Sequence, residues 1–347
     1  MCDKLLSLCI ATYNMENYLG RCLDSLTQPG VPETLEVLVI NDGSKDKSLD
    51  IAKSYQEKRP DILRVIDKEN GNYGSCVNKA LSIATGKYFR MLDADDWFDT
   101  EALILFLSKL ETVNADLLLT NYRMIKETGV RDYKADGYVL YEKEYNALQF
   151  DIEKEDLSMM FVMHSMTYKT SLLKKIGLSL QCGISYTDTE YCFFPIDKVE
   201  SILFLNILLY QYDVSRDGQT MSIASRTKSI VHMVNITERL LSYFVEQKKK
   251  NENVVQNNQR LFLYRIIYLL YSSVLLFCLK KQTDEARLSQ IDNFIKRSDV
   301  QLYEKLGKEK HNKIPYVLIW RKFGLFNRSF LFVCYNRIYT FGKSIFN

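Results

Sequence analysis

The sequence predicts an α/β fold on a mainly parallel sheet, followed by a helical C-terminal region, and three observations carry that prediction. Short apolar runs alternate with stretches of helical spacing through about the first 125 residues. Several of those runs end at once in polar or acidic turns. Beyond residue 222 the strand-like runs give way to long stretches of helical periodicity. At 347 residues, 47% of them hydrophobic, the chain can build one large domain with an appendage, or two domains. The expected division sets residues 1–222, with halves 1–125 and 126–222, apart from a helical region 223–347 with a basic, aromatic tail.

Leu5-Leu-Ser-Leu-Cys-Ile10 is the first apolar run, and Asn14 to Leu26 carries Tyr18, Leu19, Cys22, Leu23 and Leu26 at helical spacing. Glu36-Val-Leu-Val-Ile40 is the second strand; it ends in Asn41-Asp42-Gly43-Ser44, and Leu49, Ile51, Ala52 and Tyr55 make the next helical face. Ile62 to Ile66 is the third strand. It leads into the turn-rich Glu69-Asn-Gly-Asn-Tyr-Gly74 and a helix with Val77, Ala80, Leu81 and Ala84 inward. Tyr88-Phe-Arg-Met-Leu92 is the fourth strand, and a helix through Leu103, Phe106, Leu107 and Leu110 connects it to a fifth, Asp116-Leu-Leu-Leu-Thr120. In parallel sheets built this way, ligands sit beyond the carboxyl ends of the strands. Three polar ends therefore converge: Thr12-Tyr13-Asn14, Asn41-Asp42-Gly43-Ser44 and Asp93-Ala94-Asp95-Asp96.

The acidic end is the most informative. Three carboxylates directly after a buried strand are poor design unless something positive sits there, and a divalent cation carrying a phosphorylated ligand answers that need. The one-residue gap between Asp93 and Asp95 lets one carboxylate reach a metal while the other accepts bonds from a ribose or a metal-bound water. Oxygen ligands of this kind suit Mg2+ or Mn2+. The plain alternative is that Asp99 caps the helix Glu101 to Glu111 and the other acids form a solvated loop. Gly43 permits a tight turn, so Asp42 can face a base-edge N–H such as the imide of uracil, with Thr12 as a second base or ribose contact. A simple turn with Ser44 or Asp46 capping the next helix is the competing reading. Asn70-Gly71-Asn72-Tyr73-Gly74 offers backbone N–H groups to a diphosphate, although it lacks the GxGxxG and GxxxxGK[ST] patterns.

Composition removes other classes. A net charge of +3 and the lack of RNP-like, zinc-finger or helix-turn-helix spacing argue against a nucleic-acid partner. Eight cysteines without a CxxC pair, and no signal-peptide pattern before the first strand, lead us to expect reduced thiols and a cytoplasmic protein. The three histidines, His164, His232 and His311, have no metal-ligand spacing, so zinc is not expected.

Ala11-Thr-Tyr-Asn14, Glu36-Val-Leu-Val-Ile-Asn-Asp-Gly-Ser44, Asn70-Gly71 with Asn78, Thr85-Gly-Lys-Tyr88 and Asp93-Ala-Asp-Asp96 resemble, in order and spacing, the successive motifs of the family 2 glycosyltransferases of the bacterial exopolysaccharide and capsule type. The resemblance implies a Rossmann-like GT-A fold. It implies that Thr12 and Asp42 hold the nucleoside base, Asp93 the ribose or diphosphate, and Asp95 the metal. Tyr13, Asn14, Asn70, Gly71, Asn78 and Ala94 belong to the same donor-binding set. Two departures stand out. Asn41 occupies a place where the family often has Asp, and Cys76-Val77-Asn78 replaces a common Ala-Arg-Asn, which leaves Lys68 or Lys79 to compensate the diphosphate.

An inverting transfer needs a carboxylate beside the acceptor hydroxyl to take its proton. Asp188, in Ser185-Tyr-Thr-Asp-Thr-Glu-Tyr-Cys-Phe-Phe194, stands where the family commonly has a Glu-Asp pair opening a helix. Glu190 is the second choice, and an N-cap role for Asp188 is compatible with either. The apolar run Ser201 to Tyr212 leads to Arg216-Asp217-Gly218-Gln219-Thr220, which resembles a family segment that closes the sugar and diphosphate pocket. Arg216 then supplies charge missing at Val77, unless the segment is only a surface turn. His164 is expected on a strand bordering the acceptor cleft, as a satisfied buried histidine.

Farther on, Lys228 to Val245 and Val254 to Leu279 read as helices. Leu261 to Phe277 is near the lower length limit for a membrane span, but with Arg265 inside it reads as a core helix. From Lys310 on there are seven Lys or Arg, no Asp or Glu, and many aromatics. That suits an anionic membrane surface or, equally, a helical appendage that is solvated or pairs with another subunit. The whole reads as a metal-dependent hexosyl- or N-acetylhexosaminyltransferase with a UDP-linked donor. Its acceptor would be a glycan or polyprenyl-linked precursor at the inner face of the cell membrane, and a homo-oligomer is compatible. One rival is a sugar-1-phosphate nucleotidyltransferase, which needs a Gly-rich, basic loop where this chain has Thr12-Tyr13-Asn14-Met15. The other is an inactive partner subunit, which Val77 and Asn41 allow and the intact acidic residues oppose.

Overall fold

In the computed structural model, residues 3–153, 155, 157–215, 225, 228–248, 254–277, 285–311 and 313–324 are described. The order of elements explains where ligands can enter. β1 (Leu6–Thr12), α1 (Leu19–Thr27), β2 (Leu35–Asn41), α2 (Ser48–Lys58), β3 (Leu63–Asp67), α3 (Asn72–Ile83) and β4 (Tyr88–Asp93) alternate as the sequence predicts. β5 (Trp97–Phe98), α4 (Thr100–Thr112), β6 (Leu117–Lys126), β7 (Gly129–Tyr133), β8 (Glu144–Asn146), β9 (Met166–Lys169), α5 (Thr170–Lys175), α6 (Asp188–Phe193) and β10 (Ser201–Asp213) complete the sheet and its flanks. The strands form one ten-stranded sheet in the order β3-β2-β1-β4-β9-β6-β10-β5, with β7 added to β6 and β8 to β10. β1 to β4, β6 and β10 run one way, and β5, β7, β8 and β9 run against them.

The chain leaves β1 toward β2 and β3, then returns through α3 to β4 on the other side of β1. That reversal opens a crevice beyond the ends of β1 and β4. β1 and β2 are covered on both faces, so they read as continuous apolar runs rather than alternating ones.

Some boundaries differ from the sequence reading, each for a local reason. α1 starts at Leu19 rather than Asn14, because Asn14 takes a left-handed φ of 53° and its Oδ1 accepts from Lys45 N at 2.8 Å. β6 runs on to Lys126 because β7 folds back along it. His164 lies in the turn before β9, not on a strand. Asp99 does cap α4, accepting from Ala102 N at 2.9 Å.

By compactness the chain divides into residues 1–219 with 248–262, and residues 220–247 with 263–347. The later helices are α7 (Ile230–Lys248), α8 (Val254–Tyr271, continued as a π-helical turn Ser272–Phe277), α9 (Glu285–Ser298), α10 (Val300–Lys308) and α11 (Tyr316–Phe323). No helix among the described residues is long and apolar enough to cross a membrane. Within the second unit Arg321 pairs with Asp292 at 2.6 Å and lies 3.5 Å over the Tyr303 ring, while Tyr271 donates to Asp292 at 2.7 Å. The first part of the basic tail is therefore built into a core. Residues 325–347 lie outside the described residues.

Gly74 is where α3 meets the segment that leads to α6: a Cβ there would lie 2.1 Å from Gln181 O. Gly74→Ala should cost about 1–3 kcal/mol of stability through overpacking. Urea midpoints check this, and an unchanged midpoint would mean that α3 and this segment are not packed together as described.

Candidate active site

At the ends of β1 and β2, Thr12 stands opposite Asn41, and Asp42 N donates to Thr12 O at 2.8 Å. Gly43, at φ 72°, makes the turn that follows. The buried Asp42 carboxylate accepts at Oδ1 from Lys68 Nζ at 2.5 Å and from Gly71 N at 2.9 Å, and Asn70 Nδ2 donates to Asp42 O at 2.9 Å. Lys68 is therefore engaged at Asp42, and Lys79 is exposed on α3. Asn14 N donates to Ser44 Oγ at 3.1 Å, which ties the first two strand ends together; Tyr13 is exposed beside them. Thr12 is only 2% exposed, and its hydroxyl has no partner among the described residues. Such buried orphans are rare, and each asks for an explanation.

Asn41 explains one departure from the family pattern. Its Nδ2 donates to Asp67 Oδ1 at 2.7 Å, so an aspartate there would face a second carboxylate. Asn78 lies apart from the strand ends. Its Nδ2 donates to Leu180 O, and its Oδ1 accepts from Leu180 N, both at 2.8 Å. It pins the segment ahead of α6.

At the acidic end, Asp93 pairs in register with Ala11. Its Oδ1 accepts from Tyr73 OH at 2.7 Å, and its N donates to Tyr210 OH at 3.2 Å. Tyr210 OH in turn donates to Asp96 Oδ2 at 2.7 Å, and Asp213 N donates to Asp96 Oδ1 at 2.8 Å. Asp96 is 1% exposed, and burial, with Asp93 and Asp95 adding to it, pushes its carboxyl well up. Ala94 and Asp95 are buried between them. The Asp95 carbonyl accepts from Arg21 Nη2 at 2.7 Å, and that guanidinium lies 3.8 Å over Trp97 and pairs with Asp213 at 3.0 Å.

Asp93, Asp96 and His164 each bring a ligand atom within 4.8 Å of the others. The sequence points to Asp95 for a metal, whereas this grouping draws in Asp96 and His164. The His164 ring stacks on Tyr212 at 4.1 Å and meets Tyr210 edge-on at 4.9 Å. Burial, then the nearby Arg90, push its pKa down to about 3. A neutral imidazole with two carboxylates fits a divalent cation, which would also relieve the repulsion within the acidic turn.

Asp188 opens α6, after Tyr186 at φ 67°. Burial raises its carboxyl, and the Thr189 N–H that it accepts works the other way, so a helix-start role coexists with any other. Its charge is felt at Tyr73, whose hydroxyl is pushed up first by burial and then by Asp93. Glu190 is fully buried, with Oε2 accepting from Gln181 N at 2.7 Å and Oε1 from Gln181 Nε2 at 2.8 Å. Both of its oxygens thus hold the preceding segment. Arg216 lies outside the described residues. The sequence reading missed Tyr73, Tyr210 and Tyr212. The alternation of Tyr210 and Tyr212 on β10, which puts both on one face, was the available signal.

The family model for glycosyl transferase family 2 matches residues 7–177. An uncharacterized glycosyltransferase of Rickettsia typhi is 30% identical over 263 residues, 73% of this chain and 75% of that protein. The chain belongs to the family 2 glycosyltransferases. Another relative is glycosyltransferase GlyA of Streptococcus pneumoniae, 28% identical over 62% of this chain and 31% of that protein. The poly(ribitol-phosphate) beta-glucosyltransferase of Bacillus spizizenii is 30% identical over 63% of this chain and 34% of that protein. The chain thus spans about a third of the length of these two relatives. The crystal structure of S. aureus TarS in complex with UDP-GlcNAc superposes with a TM-score of 0.62 at 22% identity, covering 86% of this chain and 82% of that one, which shows the GT-A-like fold.

Thr12→Val keeps the side chain's shape and removes an unpaired buried hydroxyl. Stability without ligand should stay level or rise by up to about 1 kcal/mol. A denaturant titration checks this, and a clear loss would mean that the hydroxyl has a partner within the folded chain.

Proposed function

We propose that this family 2 glycosyltransferase moves a hexosyl or N-acetylhexosaminyl unit, with inversion, from a UDP-linked donor to a cell-surface polysaccharide or lipid-linked oligosaccharide precursor. The observation that carries the reading is the orphan Thr12 hydroxyl beside Asp42, in the same crevice as the Asp93 and Asp96 cluster. Further support comes from TarS, whose structure holds UDP-GlcNAc, and from the Bacillus relative, named for glucosyl transfer to poly(ribitol phosphate).

Thr12 and Asp42 bind the base, with Tyr13 and Asn14 at its rim. Gly71 and Asn70, fixed on Asp42, line the way to the diphosphate, and Asp93, steadied by Tyr73, meets the ribose or diphosphate. Asp93, Asp96 and His164, with Asp95 adjoining, would hold Mn2+ or Mg2+, which would supply positive charge against the departing diphosphate. Asp188 takes the acceptor hydroxyl's proton as that oxygen attacks the anomeric carbon from the face opposite the nucleotide. The C–O bond to the diphosphate breaks, and the configuration inverts. Arg216, from its place after β10, is assigned to the diphosphate by the family resemblance alone.

A carboxyl raised by burial is a stronger base than an ordinary aspartate once ionised. On α11 the exposed Leu318 and Phe323 beside Lys322 support a peripheral stand on an anionic membrane, close to a polyprenyl-linked acceptor.

Activity that depends on ionised Asp188 should fall as pH drops through a pKa above the ordinary carboxylate value of 3.8. For stability the sign is opposite. A raised folded-state pKa contributes stability that is full below the unfolded value and lost as pH rises through the folded one, so Asp188→Asn should be no less stable at neutral pH. In a screen of UDP-sugars with Mn2+ or Mg2+, the wild type should release UDP from at least one. Asp188→Asn should be slower by about two to four decades with UDP affinity unchanged. No release from any donor, with pyrophosphate formed from UTP and a sugar 1-phosphate, would favour the nucleotidyltransferase instead.

A further inference from the structure

Arg90 is a large, charged side chain at 0% exposure, on β4 three residues before Asp93. Its guanidinium lies 5.4 Å from the Phe98 ring and 5.9 Å from the Phe106 ring. No carboxylate pairs with it among the described residues. A buried cation without a counter-charge is costly, and an apolar side chain of similar volume would fill the space more cheaply. What the guanidinium does instead is hold backbone and hydroxyl oxygens. Nη1 donates to Thr167 Oγ1 at 2.8 Å, Thr120 Oγ1 at 3.1 Å and Ser165 O at 3.3 Å, and Nη2 donates to His164 O.

These acceptors surround the turn that carries His164. From that turn the imidazole reaches the Tyr212 and Tyr210 rings, and Tyr210 OH bridges Asp93 and Asp96. We propose that Arg90 is a positioning residue for the crevice: by gripping the turn between residues 164 and 167 it fixes where the His164 imidazole stands relative to Asp93 and Asp96. The inference rests on the reading of that crevice as the donor site. Its planar fork of donors serves four acceptors in fixed directions, which a lysine ammonium cannot reproduce.

The 347-residue chain has only three histidines, so imidazole resonances can be assigned by substitution. Stacking on Tyr212 should displace the His164 ring signals from ordinary positions. In Arg90→Lys and Arg90→Met those signals should move back while His232 and His311 stay put. UDP affinity with Mn2+ is then measured for Arg90→Met, His164→Ala and the double variant. Each single change should weaken Mn2+-dependent UDP binding about tenfold, the scale for losing support of a metal ligand. The double variant should be no worse than either, since both act through one imidazole. Thr167→Val, which removes one anchor and keeps the charge, replaces Arg90→Met in both readouts if the latter does not fold. Unmoved His164 signals, or losses that multiply in the double variant, would overturn the proposal. A wild type that binds no UDP would sink the donor-site reading, and the His164 signals would still decide whether Arg90 positions the turn.

Discussion

One hydroxyl, that of Tyr210, holds the acidic turn in a usable shape, and much of the crevice depends on it. It accepts from Asp93 N and donates to Asp96, so it joins the end of β4 to β10, although β9 and β6 lie between them in the sheet. The short pairing of Trp97–Phe98 with Gln211 and Tyr210 brings the turn across those strands. Asp213 N and the Arg21 pairing with Asp213 and the Asp95 carbonyl fasten its other side. Without such fixed donors, three adjacent carboxylates in a buried turn would repel one another apart.

The same electrostatics shape the rest of the crevice. Asp96 is pushed toward its neutral form by burial and by its neighbours, while His164 is kept neutral by burial and Arg90. At the other end Lys68 and Gly71 steady Asp42 without help from the acidic turn. The crevice thus has two ends, each fastened by its own partners. This division accords with the nucleotide-sugar reading and gives the nucleotidyltransferase no basic loop after β1.

β1 to β4 and β6 were legible because each holds an apolar run of strand length bounded by turn residues, most plainly in β1 and β2, which are buried on both faces, whereas the two-residue β5 shows no pattern of its own. The acidic turn was legible because charge directly after a buried strand is locally inconsistent. What stayed hidden depends on partners far away in the chain. Nothing near Asn78 reveals that its amide will bind Leu180, and nothing near Asn41 announces Asp67. Arg321 reads as part of a basic surface, yet Asp292 and Tyr303 take it inside. Arg90, in the middle of an apolar run, shows in the sequence only as part of a strand, since its acceptors lie on β6, on β9 and in the turn before β9.

On the proposed function, the ends of β1, β2 and β4 together form one nucleotide-binding crevice. Hydrogen–deuterium exchange with and without UDP and Mn2+ tests it most directly. Exchange should slow in peptides covering residues 12–14, 41–44, 70–74 and 93–97, with little change in β7, α9 or α10. Protection confined to elements away from those strand ends, or none at all under conditions where UDP binding is measurable, would contradict it.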